Sequence, residues 1–275
     1  MSMIRMQIER TKGMISLERK TVLITGGGRN IGLEIAKVFA ERGYDIAITG
    51  RDAGKTGDAA ADLEKAYPGA RVRGYALELS NMDSVRALVS RLETEMPRID
   101  VLVCNAGHLG VDLDIYTTTE AEYDAVFDTN VKGNFFLIQG ISKGMMHTKR
   151  GSIVLMSSVQ SKGAVEGRTV YGATKGALNV LNKYLAYDLA PYGIRVNTVV
   201  LGAVHTQRWD DLPEEICNER RRAYPIGRES SGKEVGNAVL FLAEDSSASI
   251  TGTEICVDSG LLVGIQSYKE RKKHI

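Results

Sequence analysis

The chain has 275 residues, 43% of them hydrophobic and 25% charged, and its 35 basic side chains nearly balance its 34 acidic ones for a formal net charge of +1. That composition suits one large globular domain and excludes a disordered chain, and the near-neutral charge offers no general attraction to nucleic acid or to an anionic membrane. The apolar runs, such as VLFLA at 239–243, fall far short of the ~20 residues that a membrane-spanning helix needs.

Residues 1–17 read as an N-terminal extension ahead of the folded pattern, whose first strand follows in ERKTVLIT. From there short β-branched runs alternate with helical patterns. Strands are predicted at 21–25, 45–49, 70–77, 100–104, 152–157, 194–200 and 253–258, and helices at 31–42, 53–66, 81–96, 120–147, 171–190 and 233–243. Most of the strands are apolar throughout rather than alternating, as expected when helices cover both faces of a sheet. A β-α-β-α series of this length implies a parallel sheet with right-handed crossovers. The rhythm breaks at 201–232, which carries Trp209, two prolines and many charges. It follows the sixth strand on the carboxyl side of the sheet, where ligands bind, and is expected to cover a substrate. The last residues, 263–275, form a basic tail. Cys104, Cys217 and Cys256 are far apart and make no C-x-x-C or Cys/His cluster, so no metal site is expected. The odd number of cysteines, without a secretory signal, points to reduced thiols in a cytoplasm.

The glycine cluster in TVLITGGGRNIGLEIAKVF joins the first strand to the first helix. Glycines there let backbone approach a pyrophosphate, and the helix start supplies unpaired N–H groups and a positive dipole. On these residues the chain resembles the short-chain dehydrogenases/reductases, whose fingerprint is T-G-x-x-x-G-x-G. The resemblance covers about residues 18–262. It implies a single Rossmann-type, doubly wound α/β domain with a seven-stranded parallel sheet and helices on both faces. It also implies cofactor contacts from Thr25, Gly26, Gly28, Arg29, Asn30, Ile31 and Gly32. Asn30 stands where the family has its middle glycine, and asparagine tolerates the positive φ that such a position needs.

The second strand ends DIAITGRD. An acid there would take the 2′-hydroxyl of NAD, whereas an arginine accommodates the 2′-phosphate of NADP. Gly50 followed by Arg51, with Arg29 in the glycine loop, points to NADP(H); Asp52 is expected to cap the helix from Ala53. By resemblance, Glu78 and Leu79 lie beside the adenine. Asn105, Ala106 and Gly107 match the family's N-N-A-G stretch, with Cys104 in place of the first asparagine. Gly202, Val204 and Thr206 match its nicotinamide loop, with Leu201 replacing a proline.

YGATK at 171–175 puts a phenol and an ammonium one helical turn apart on one face. Hydride transfer to a ketone leaves an alkoxide that needs a proton. A free phenol, with a pKa of about 10, is a poor partner for that exchange near neutrality unless a nearby charge favours phenolate. Tyr171 is therefore expected to be the acid/base and Lys175 to lower its pKa. The resemblance adds Ser158, thirteen residues before Tyr171, as the group that polarises the carbonyl, with Ser157 as the runner-up. It adds Asn130 as the residue that holds a water leading to the lysine.

The expected function is NADP(H)-dependent interconversion of a ketone or aldehyde and an alcohol. Gln160, Lys162, Glu166, Arg168, His108, His205, Arg208 and Trp209 are expected near the substrate, which favours a polar compound such as a sugar, polyol or oxo-acid. A 3-oxoacyl-carrier-protein reductase and a non-catalytic NADP-sensing module are the alternatives. The family resemblance also implies a homodimer or homotetramer built on the helices near 120–147 and 171–190.

Overall fold

The computed structural model describes residues 19–110 and 113–264; the predicted extension, and the tail from 265 onwards, lie outside them. Seven parallel strands form one sheet in the order β3-β2-β1-β4-β5-β6-β7. They are β1 (Thr21–Ile24), β2 (Asp45–Gly50), β3 (Val72–Ala76), β4 (Val101–Cys104), β5 (Gly151–Ser158), β6 (Ile194–Leu201) and β7 (Glu254–Val257). The helices are α1 (Asn30–Glu41), α2 (Ala53–Ala66), α3 (Met82–Glu95), α4 (Glu120–Phe127), α5 (Gly133–Thr148), α6 (Thr169–Leu189), α7 (Gln207–Asp210), α8 (Glu214–Arg221) and α9 (Gly232–Ala243). Each predicted strand and helix lies within a few residues of its expected limits.

The continuous apolar strands are explained by two cores. In β1, Val22 and Ile24 face one side, where Phe39 of α1, Leu63 of α2 and Val239 of α9 pack. Leu23, between them, faces the other side and joins Leu88 of α3, Leu137 of α5 and Ala186 of α6. Both faces are dry, so both sets of alternating residues must be apolar.

One predicted helix is not continuous. Between α4 and α5 the chain makes a π-helical turn, Asp128–Lys132. The extra residue in that turn rotates Asn130 inward, where it is almost fully buried. Gly133 then passes so close to the Leu79 carbonyl that a β-carbon could not be placed there. The strand order reverses between β1 and β4, which opens a crevice at the carboxyl ends of the strands. Among the described residues no helix is long and apolar enough to cross a membrane.

Candidate active site

A cleft of about 1360 Å³ runs from the glycine loop to the segment after β6. Its first wall is the loop between β1 and α1. Gly26 has φ +66° and Asn30 has φ +48°, the left-handed conformation anticipated for that asparagine. A β-carbon on Gly32 would collide with the Gly26 carbonyl and stand 2.7 Å from Asn105 Nδ2. Asn105 Nδ2 donates to the Thr25 carbonyl at 2.8 Å, and Thr25 Oγ1 accepts from the backbone N–H groups of Asn105 and Ala106, each at 2.9 Å. The N–A–G stretch after β4 thus braces the glycine loop. No side chain caps α1, and its first turn holds no acid. A glycine cradle at an open helix start fits a pyrophosphate.

At the end of β2 the cleft is lined by Gly50, Arg51, Asp52 and Lys55, with Arg29 alongside. A β-carbon at position 50 would strike Thr56 Oγ1, so any other residue there would have to displace that hydroxyl. Asp52 caps α2 as expected, accepting from the Lys55 N–H at 3.0 Å. Neither Arg29 nor Arg51 has an ion-pair partner among the described residues, so two exposed guanidiniums face the cleft unmatched. Glu78 and Leu79 line the opposite side. Glu78 is engaged locally, accepting from Ser80 Oγ at 3.0 Å, and Leu79 is buried.

Tyr171, Ser158, Lys175 and Asn130 converge on the middle of the cleft. Tyr171 and Ser158 line it directly, and the Ser158 hydroxyl, which accepts from the Gln160 N–H at 3.2 Å, acts on the phenol. Ser157 turns instead to the Lys175 carbonyl, at 3.2 Å, so the neighbour beside the phenol is Ser158. Lys175 is buried; its Nζ donates to the Met156 carbonyl at 2.8 Å and lies 5.3 Å from the centre of the Tyr171 ring. Burial pushes its pKa down to about 8. The same loss of water pushes the neighbouring Cys104 thiol up to about 12, which leaves it a neutral core residue.

In the chain by itself the Tyr171 hydroxyl is shifted upward. Burial raises the phenol above its ordinary value, and the groups that oppose this are Ser158, through its hydrogen bond, and the charge of Arg168. The Lys175 ammonium sits under the ring, is tied to a carbonyl and is itself short of water.

Asn130 Oδ1 accepts from the His108 N–H at 2.6 Å, while its Nδ2 donates to the His108 carbonyl at 2.9 Å and to Thr174 Oγ1 at 3.0 Å. Thr174 Oγ1 in turn donates to the Tyr171 carbonyl at 2.7 Å. Thr174 was not singled out from the sequence, although its place between Tyr171 and Lys175 was the available signal. A β-carbon on Gly107 would stand 3.2 Å from Asn130 Oδ1 and 3.7 Å from Lys175 Nζ. The glycine therefore leaves a small polar gap between those two atoms.

The segment after β6 closes the far end. Gly202, Val204 and Thr206 line the cleft, followed by Arg208, Trp209, Leu212, Arg220 and Tyr224. The segment is held by Glu229, which is buried, receives Arg221 at 2.8 and 2.9 Å, and has its carboxyl held down at about 2 by that guanidinium. His205 bridges Glu229 at 2.9 Å and Asp210 at 3.0 Å, so it braces the segment and does not line the cleft. Of the other polar residues anticipated near substrate, His108, Gln160 and Arg168 are there. Lys162 instead pairs with Glu254 at 2.6 Å, and Glu166 does not line the cleft. Nothing in the local sequence marked Glu229 as the anchor of the segment after β6.

A doubly wound sheet with an open phosphate loop and a serine–tyrosine–lysine group along one cleft defines a dinucleotide-dependent oxidoreductase. A family model described as enoyl-(acyl carrier protein) reductase matches residues 26–262. A 3-oxoacyl-[acyl-carrier-protein] reductase of Chlamydia trachomatis is 34% identical over 245 residues, covering 89% of this chain and 98% of its own. A solved structure described as a putative betaketoacyl-ACP reductase is 36% identical with a TM-score of 0.79, over 90% of this chain and all of the other. The L-sorbose reductase of Gluconobacter frateurii, solved with NADPH and L-sorbose, is 27% identical with a TM-score of 0.85, over 90% and 98% of the two chains. The chain belongs to the short-chain dehydrogenase/reductase family.

Proposed function

We propose that this chain is an NADP(H)-dependent reductase of 3-oxoacyl thioesters, with Tyr171 as the proton donor. The observation that carries the chemistry is the convergence of Ser158, Tyr171 and Lys175 on one cleft that begins at the glycine loop. The substrate class is supported by the 3-oxoacyl reductases among the relatives, which span nearly the same length. It is the alternative of the sequence reading; the polar-compound reading stands second, favoured by Gln160 and His108 in the wall and by the likeness to a sorbose reductase.

The glycine loop, Asn105 and the start of α1 would hold the pyrophosphate, with Arg29 and Arg51 on the 2′-phosphate. Val204 and Thr206 would lie along the nicotinamide. When bound, the reduced cofactor supplies a hydride to the carbonyl carbon. Ser158 holds the carbonyl oxygen by a hydrogen bond, and Tyr171 donates its proton to that oxygen as negative charge grows there. Lys175, beneath the ring, stabilises the phenolate that results. The gap at Gly107 suits a water between Asn130 Oδ1 and Lys175 Nζ, from which the proton is replaced. Trp209 and the rest of the segment after β6 keep bulk water from the reacting carbonyl.

The reading has the protein working in the cytoplasm as a homodimer or homotetramer. The exposed Val180, Tyr184 and Tyr187 of α6 and Phe135 of α5 support a contact on that face.

Two measurements test the proposal. NADPH consumption is expected with acetoacetyl thioesters, at a kcat/KM well above that for L-sorbose; the reverse order would transfer the proposal to the polar-compound reading. Arg51→Ala, combined with Arg29→Ala, is expected to weaken NADPH binding by roughly 10- to 100-fold, from two lost charge-assisted contacts, while NADH binding barely moves. Equal effects on both cofactors would remove the 2′-phosphate assignment.

A further inference from the structure

The substrate end of the cleft is cationic. Arg168, Arg208 and Arg220 line it together with His108, and no carboxylate does. The cleft's two acids, Asp52 and Glu78, stand at the adenosine end and are engaged there with α2 and Ser80. Among the described residues Arg168 Nη1 reaches the Gly110 carbonyl, at 3.3 Å, and its other donors have no partner. Arg220 rests over the Trp209 ring at 5.9 Å. None of these three arginines has a carboxylate partner among the described residues.

Their neighbours behave differently. Arg221 is bidentate on Glu229, and Arg228 grips Glu234 at 2.9 and 2.6 Å. In this stretch Arg221 and Arg228, which do not line the cleft, are neutralised, Arg222, also outside it, is not, and Arg208 and Arg220, which do line it, are unmatched. Three like charges around one cavity repel one another, and an anion between them relieves that repulsion. Guanidinium donors suit the oxygens of carboxylate and phosphate. Arg168 also stands one helical turn before Tyr171, near enough for its charge to act on the phenol.

We propose that this end of the cleft is an anion subsite, in which Arg168, assisted by Arg208 and Arg220, holds a carboxylate or phosphate of the substrate. The inference rests on the reductase reading above and sharpens it: the substrate brings negative charge as well as a carbonyl. Two sources share that chemistry. One is a carboxylate on the oxo-acid itself, and the other is the phosphate of a phosphopantetheine arm.

The test measures NADPH-dependent kcat/KM of the full chain on two matched pairs. Acetoacetate is set against methyl acetoacetate, and acetoacetyl-phosphopantetheine against acetoacetyl-pantetheine. Wild type is expected to favour the charged member of at least one pair by about tenfold or more, mainly through KM, as loss of a charge-assisted hydrogen bond implies. The pair that shows the preference identifies the source of the anion. Arg168→Gln is expected to bring that preference close to one, and Arg168→Lys to restore part of it. NADPH binding, measured in parallel, separates this from a folding defect. Turnover without charge preference in wild type overturns the inference and leaves the reductase reading intact, and so does a preference that survives in a folded Arg168→Gln. Absence of turnover on all four compounds removes both. If Arg168→Gln fails to fold, the wild-type pairs still decide the matter.

Discussion

Tyr171→Phe is expected to lower reductive kcat by roughly 10²- to 10⁴-fold, the range a positioned general acid supplies, with NADPH binding retained. The substitution removes one oxygen from the cleft wall and leaves the ring over Lys175. Fluorescence titration with NADPH beside steady-state turnover checks both halves. Retained turnover would end the assignment of the phenol as proton donor. The pH profile makes the same point independently. Burial raises the Tyr171 pKa, against the pull of Ser158 and Arg168. The phenol therefore keeps its proton at neutral pH, the form that a reducing acid needs. Reduction is expected to be level through neutrality and to fall only on the alkaline side, where the phenol titrates. Oxidation of the corresponding alcohol, which needs phenolate, is expected to rise with pH. Any activity left in Tyr171→Phe should lack that alkaline limb.

The features legible in the sequence are those enforced by local physics. Both faces of the central strands are dry, so their apolar runs stood out, and Val22, Leu23 and Ile24 went to opposite cores as alternation demands. The glycine loop was readable because few residues take a left-handed conformation, and Asn30 is one that does. Asp52 could be assigned to its cap because it directly precedes a helix.

What escaped depends on pairs far apart in the chain. The π turn at Asp128–Lys132 is shaped by contacts of Asn130 with His108 and Thr174, 22 and 44 residues away. Periodicity over 120–147 contains no trace of that insertion. Glu229 and His205 meet across 24 residues, so His205 read as a pocket residue when it is a brace. The upward push of burial on the Tyr171 phenol was not legible either. Spacing put an ammonium near the phenol, but the direction of that ammonium and its own burial are tertiary facts. Arg168, by contrast, had been noticed only as one polar residue among several; its lack of a partner is visible only once its neighbours' ion pairs are in place.

Lys175→Met is expected to abolish most turnover and yet to raise thermal stability. Nearly all of the Lys175 side chain is buried, and its pKa falls from 10.5 to about 8. At 1.36 kcal/mol per pKa unit, keeping that ammonium charged costs about 3 kcal/mol of folding free energy at neutral pH. The hydrogen bond it donates to Met156 returns only ~1–1.5 kcal/mol. The balance favours the apolar side chain by about 1–2 kcal/mol, equivalent to a rise in Tm of roughly 2–8 °C for a domain of this size. The pH dependence follows from the sign of the shift. Above a pH of about 8 the folded chain releases the proton, while the unfolded chain holds it up to about 10.4, so the unfolded state binds more protons in that window. This residue's contribution to stability therefore improves as pH rises through the window. Below it the full penalty applies. Lys175→Met should flatten that part of the stability–pH curve, as scanning calorimetry at several pH values would register. A lower Tm at neutral pH would show that the bond to Met156 outweighs the desolvation, and the ammonium would then be a structural tie. A higher Tm with turnover lost would mark a charge retained in the core at a cost to the fold, which is the expected trade where a buried group serves chemistry.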